Sequence, residues 1–107
     1  MRRTALSPRL RAYVDALPLQ PGLRVIEIGC GTGGAAIEVA RRVGPAGHVL
    51  AVDRSSRAID QVRHTAADLI AAGRMTVRTV AIEHLELAPG GPVFDLAFAI
   101  RVGALDG

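Results

Sequence analysis

The chain has 107 residues, half of them hydrophobic and about a fifth charged, a balance that excludes a disordered segment and allows one domain with a modest core. Its formal charge is +3, and all thirteen basic residues are arginines spread along the chain rather than gathered into a stripe, which argues against a nucleic-acid surface. Tyr13, Phe94 and Phe98 are the only aromatics, too few for a single-strand stacking platform, and no run of about eighteen apolar residues is available to span a membrane.

In chain order, SPRLRAYVDALP predicts a first helix over about 7–17. Ser7 can cap it, Pro8 suits the first helical position, and Leu10, Tyr13, Val14 and Leu17 recur on one face. Residues 23–28, LRVIEI, are apolar and β-branched between two glycines and predict a buried strand. A helix from Gly33 to Val43 follows, stopped by Gly44 and Pro45. HVLAVD (48–53) predicts a second strand. Residues 55–73 read as one further helix, with Ile59, Val62, Ala66, Leu69 and Ile70 as its apolar stripe. Residues 75–81 alternate as a third strand, EHLELAPGGP reads as a short helical turn and a loop, and FDLAFAI (94–100) is the fourth strand. Strands alternating with helices predict an α/β fold over 1–107, a single domain built as a Rossmann-like, doubly wound parallel sheet of order 3-2-1-4. In such a sheet the ligand lies beyond the carboxyl ends of the strands.

That edge carries the stretch VIEIGCGTGG, residues 25–34. Gly29 suits the tight turn after the strand, Gly31 lets the backbone approach a ligand, and Gly33 and Gly34 let the next helix pack close to the strand. The helix then offers free N–H groups and a positive dipole end. Asp53 ends the second strand twenty residues after Gly33, where its carboxylate can accept hydrogen bonds from ribose hydroxyls. These features point to a nucleoside-containing ligand and leave two readings. Gly29, Gly31 and Gly34 satisfy G-x-G-x-x-G, the dinucleotide spacing, so NAD is one. Glu27, two positions before the first glycine, separates them: a carboxylate there repels a pyrophosphate and attracts an ammonium group.

The same residues resemble motif I of the class I S-adenosylmethionine (SAM)-dependent methyltransferases, E/D-x-G-x-G-x-G, here Glu27, Gly29, Gly31 and Gly33. GHVLAVDRSSRAIDQVR is similar to the family's second segment, in which the acid ending strand 2, here Asp53, holds the ribose. VAIEHLEL resembles the segment that cradles the adenine, and FDLAFAIRV the strand 4 segment. The likeness runs from about residue 5 to 102. It implies SAM as cofactor, with S-adenosylhomocysteine (SAH) as product. The cofactor-binding positions it implies are Glu27, Gly29, Cys30, Gly31, Gly33, Asp53, Arg54, Ile82, Glu83 and Ala99. Two departures accompany it. Ala81 stands where the family often has an aspartate for the adenine amino group, leaving Glu83 or the backbone of Ile82 for that task. Arg54 stands where an apolar residue often lies under the adenine, and its planar guanidinium can stack there instead.

The family's sheet has seven strands, ordered 3-2-1-4-5-7-6, and the resemblance covers strands 1–4. The function implied is methyl transfer to a small-molecule or other acceptor. A SAM-binding module without transfer is the alternative, and an NAD-binding fragment is a further one. The apolar strand over 94–100, with neither lysine nor proline, is expected to pair with another copy of the chain or to be covered by a swapped element. Cys30 has no base nearby and reads as buried filler. His48, His64 and His84 lack ligand spacing, so no metal is expected. Asp95 reads as structural, and Arg101 as solvated or as a grip on an anionic substrate. One cysteine forbids an internal disulfide, and the start MRRTALSPRL has no secretory apolar region, so the expected location is the cytoplasm.

Overall fold

A computed structural model describes residues 6–86 and 93–100. The first helix, α1 (Pro8–Ala16), starts where the Ser7 hydroxyl accepts the amide of Leu10 at 3.2 Å, and it ends as Leu17 turns extended before Pro18. Then come β1 (Arg24–Ile28), α2 (Gly34–Val43), β2 (His48–Asp53), α3 (Ser56–Thr65), α4 (Ala67–Ala71), β3 (Met75–Thr79), a 3₁₀ turn (Ile82–His84) and β4 (Leu96–Phe98).

The sheet is parallel throughout with order β3-β2-β1-β4, the arrangement expected from the alternation of elements. Residues two apart on a strand share a face, so two apolar sets form. Val25, Val49, Ala51, Met75 and Val77 join Val14, Ala36, Val39, Ile59 and Val62 of the helices in the larger core. Ile26, Leu50 and Val52 face the other way, against Ile28, Val80, Leu85 and Phe94. At the lower edge, the Asp95 carboxylate accepts the amide of Arg24 at 2.8 Å, and Arg24 lies over the Phe94 ring. Asp95 therefore pins the start of β1 to the approach of β4. His48 bridges β2 to β3: Nδ1 sits 2.9 Å from the Gly73 carbonyl, to which it donates, and Nε2 sits 2.9 Å from Thr76 Oγ1.

Three elements differ from the sequence expectation. The helix over 55–73 is broken at Ala66, where the backbone reaches φ −105°, ψ 22°. Small Ala66 is buried at this corner, and Leu69 and Ile70 beyond it pack against the core. The third strand stops at Thr79 rather than 81, because β2 ends at Asp53 and the amide of Val80 makes the last bond to it. The fourth spans three residues rather than seven. It pairs only with Val25, Ile26 and Glu27 before β1 turns into the glycine loop. Residues 87–92 of the expected loop, and Arg101, lie outside the described residues.

Candidate functional site

Three pieces of chain meet at the carboxyl edge of β1 and β2. The amides of Gly29 and Cys30 both bond the carbonyl of Val52, at 2.8 and 2.9 Å, which carries the ladder one step beyond the strands. The chain then turns through Gly29, Gly31 and Gly33, all at positive φ. Asp53 secures the turn. One carboxylate oxygen accepts the Gly31 amide at 2.8 Å and the other accepts the Ser55 amide at 2.8 Å. The cap of α3 is Ser55, whose hydroxyl accepts the Ala58 amide at 3.1 Å, so Asp53 is not that helix's cap. A carboxylate offers about four lone-pair sites and two are used, which leaves acceptor capacity for ligand hydroxyls.

Glu27 has an unusual environment. It is 3% exposed, and its Oε1 has no hydrogen-bond partner. Burial first, and the Asp53 charge second, push its carboxyl up from 4.5 to about 8. A buried acid with an orphan oxygen is costly unless something arrives to satisfy it. Beside it, burial raises the Cys30 thiol to about 12, with Glu27 and Asp53 adding to the effect, so the thiol stays protonated and unreactive.

Glu27, Gly29, Cys30 and Gly31 line one cleft of about 260 Å³. That is below the roughly 300–1,000 Å³ of sites for drug-sized ligands and suits one end of a ligand rather than all of it. A Cβ built on Gly31 would meet nothing within 4 Å, so this backbone is open to whatever enters. The other expected residues lie apart from the cleft. Asp53 reaches it only through Gly31. Gly33 and Gly34 do not serve helix–strand packing as expected. A Cβ on Gly33 would fall 2.9 Å from Val62 of α3, and one on Gly34 would fall 3.3 Å from Leu6, before α1. Arg54, Ile82 and Glu83 are exposed and do not line the cleft. Ala99 is exposed as well, and its neighbour Ile100 lines the cleft instead, because alternation past β4 turns the next side chain inward.

Sequence reasoning missed the contribution of α1: Ser7, Arg9 and Leu10 line the cleft from above. Nothing in the local pattern around Arg9 marks it, since only the docking of α1 on α2 brings it there. Among the described residues no group of three His, Cys, Asp or Glu side chains could hold a metal ion.

A parallel 3-2-1-4 sheet, with one acid buried ahead of its glycine turn and a second tying that turn down, is the architecture of the class I, SAM-dependent methyltransferases. The chain belongs to that group: a family model described as "Methyltransferase domain" matches residues 19–106. It is 32% identical over 98 residues to a nocamycin O-methyltransferase of Saccharothrix syringae, covering 92% of this chain and 34% of that one. Among solved structures it resembles a coclaurine N-methyltransferase bound to N-methylheliamine and SAH, with TM-score 0.70, 22% identity, and coverage of 85% of this chain and 26% of that one. It also resembles the [4+2]-cyclase SpnF, with TM-score 0.66, 27% identity, and coverage of 83% and 32%. The chain thus spans about a third of the curated relative's length. Family membership sets aside the dinucleotide reading of Gly29, Gly31 and Gly34. SAM is the cofactor of this class, and what the orphan oxygen of Glu27 lacks is a hydrogen-bond donor.

Proposed function

We propose that this chain is the cofactor-binding half of a methyltransferase and binds SAM, with SAH as the product it releases. The observation that carries the reading is Glu27, a buried carboxyl with an unsatisfied oxygen, on a residue that lines a cleft together with the glycine turn. Ionised, Glu27 holds the ligand's ammonium group. The first amides of α2 face its carboxylate. Asp53 accepts from the ribose hydroxyls while keeping Gly31 in place. Arg54, Ile82 and Glu83 follow β2 and β3 at the same edge and flank the adenine. Bound SAM supplies an electrophilic methyl on a sulfonium, so the protein's part is alignment of an acceptor and exclusion of water. The acceptor, a small molecule in this reading, approaches from the β4 side. The single, buried, protonated Cys30 suits a cytoplasmic setting.

Isothermal titration with SAH tests this, with NAD as control and Asp53→Ala as second sample. Micromolar binding of SAH alone, lost by at least tenfold in Asp53→Ala, is expected. Binding of NAD in preference, or SAH affinity untouched by the substitution, would sink the reading.

A second reading is a SAM-binding unit that transfers no methyl, and the cyclase among the structural relatives favours it. Accumulation of SAH during incubation with SAM and a panel of nucleophilic acceptors separates the two.

β4 ends the sheet among the described residues, and it carries Leu96, Ala97 and Phe98 with no charge. The opposite edge, β3, presents exposed Thr76, Arg78 and Thr79. We expect the 94–100 edge to associate with a second copy, seen as a mass that rises with concentration in light scattering. A constant monomer mass up to millimolar concentration would contradict it.

A further inference from the structure

The glycine turn over 30–33 is held at two points from α3, a helix none of whose residues lines the cleft. The first point is Gly31. Its amide bonds one oxygen of Asp53, and the other oxygen takes the amide of Ser55, the cap of α3. The second is Gly33. Its backbone stands at φ +90°, and the place of its missing Cβ falls 2.9 Å from Cγ2 and 3.1 Å from Cγ1 of Val62, so both branches of the valine sit against this one residue. Val62 is fully buried and lies about two helical turns beyond Ser55. Gly33 is also a junction. Its amide bonds the Cys30 carbonyl at 3.0 Å and closes the turn, while its carbonyl accepts the Ile37 amide at 2.9 Å and begins α2. A shift of Gly33 therefore moves both the end of the turn and the start of α2. Between the two points the turn borders open space. Thr32 is exposed and lines both the cleft and a second hollow of about 420 Å³, shared with Ser55, Arg57, Ala58 and Gln61.

We propose that Val62 is a positioning residue for the cofactor: it touches no ligand and sets the place of the turn through Gly33. The inference rests on the proposed SAM reading and adds to it α3, an element outside the cleft. Interiors are close-packed, so a change of shape at Val62 is felt by whatever it contacts. A core valine packed among rigid neighbours answers to shortening with a cavity. Here the neighbour is a turn with open space beside it, and the turn can move instead. A turn that spends only about a tenth of its time in the competent place binds its ligand about tenfold more weakly. The shape of the side chain, rather than its hydrophobicity, then decides affinity.

The test separates affinity from stability. SAH titrations and thermal melts are run on wild type, Val62→Ala, Val62→Thr and Val49→Ala. Val49 is as fully buried as Val62 but stands near the amino end of β2, paired with Val25 and Met75 and away from the turn. Val49→Ala should lower the melting temperature much as Val62→Ala does, yet leave SAH affinity within about twofold. Val62→Ala is expected to weaken SAH about tenfold. Val62→Thr keeps both branches, and its hydroxyl can bond the Ala58 carbonyl one turn back. It should melt lower than wild type, because a buried hydroxyl replaces a methyl, and still bind SAH as wild type does. Affinity that simply follows melting temperature across the set would mean that Val62 serves stability alone. That result overturns the proposal, as does a Val62→Ala that binds normally. Should Val62→Ala not fold, a folded Val62→Thr that has lost SAH overturns it equally, and one that binds as wild type while melting lower upholds it. A wild type that ignores SAH altogether would overturn the parent reading and this one with it.

Discussion

Glu27→Gln is expected to stabilise the ligand-free chain at pH 8 and to abolish its binding of SAH. The carboxyl is held at about 8 in the fold against 4.5 ordinarily, chiefly by burial and then by the Asp53 charge. The neutral acid is thus the form the fold tolerates. Its contribution to stability is fully present below pH 4.5, shrinks as pH rises, and is gone once pH passes 8. At 1.36 kcal/mol per pH unit, ionising pressure between 4.5 and 7 costs the fold about 3 kcal/mol. Glutamine keeps the shape and removes the charge, so the variant should be more stable by about 2 kcal/mol at pH 8, allowing for a buried amide that also lacks a partner. In a domain of this size that is a rise of roughly 10 °C in melting temperature. Wild-type stability should fall between pH 5 and 8.5, while that of Glu27→Gln stays level. A wild type with flat stability over that window, or a variant that binds SAH normally, would defeat the argument.

The same residue links binding to protons. Around Glu27 stand Asp53 from β2, the neutral Cys30 thiol from the loop and Arg9 from α1, while β4 offers only Phe98 in register. With no cation bound, Glu27 is mostly protonated at pH 7. An ammonium group favours the ionised form, so SAH should expel up to one proton as it binds. Affinity should accordingly rise from pH 6 to 8. Calorimetry in buffers of different ionisation enthalpy reads the proton count directly.

Much of the arrangement was legible in the sequence because it follows from local rules. Alternation set the strands, Ser7 with Pro8 set the start of α1, and glycines followed by an acid marked the turn that Asp53 ties down at the carboxyl edge. What could not be read depends on tertiary fit. The break at Ala66 was not legible, because a helical stripe in sequence looks the same whether straight or bent. The strands over 75–81 and 94–100 were read too long because pairing ends when the neighbour ends, and strand propensity does not know its neighbour. Ala99 and Ile100 differ by one residue, and facing the cleft depends on where β4 stops pairing. Arg9 looked like any surface arginine, since its place over the cleft is made by Asp15 meeting Arg42 and by Leu6 and Leu10 settling on Gly34. The glycines were found as a group, yet their separate duties were not, because a missing Cβ says nothing about what lies where it would have been.

Those duties separate cleanly under mutation. Gly33→Ala is expected to destabilise the fold by about 3 kcal/mol. Two costs combine: a left-handed backbone, here φ +90°, costs an alanine about 1–2 kcal/mol, and overpacking a buried contact costs about 1–3 kcal/mol. The contact is Val62, fully buried in α3, whose Cγ2 would lie 2.9 Å and Cγ1 3.1 Å from the new carbon. Adding Val62→Ala should recover the steric share alone, so the double variant should be more stable than the sum of the singles by about 1 kcal/mol. Gly31→Ala should behave oppositely. At φ +57°, with open space where its Cβ would point, it should cost about 1 kcal/mol of stability. Yet it places a methyl group where ligand must approach the backbone, and it should weaken SAH at least tenfold. Urea unfolding and SAH titration of Gly31→Ala, Gly33→Ala, Val62→Ala and the Gly33→Ala/Val62→Ala double variant decide the matter. If Gly31→Ala and Gly33→Ala lose stability equally while both still bind SAH, the loop is only a turn, and its glycines serve the fold rather than the ligand.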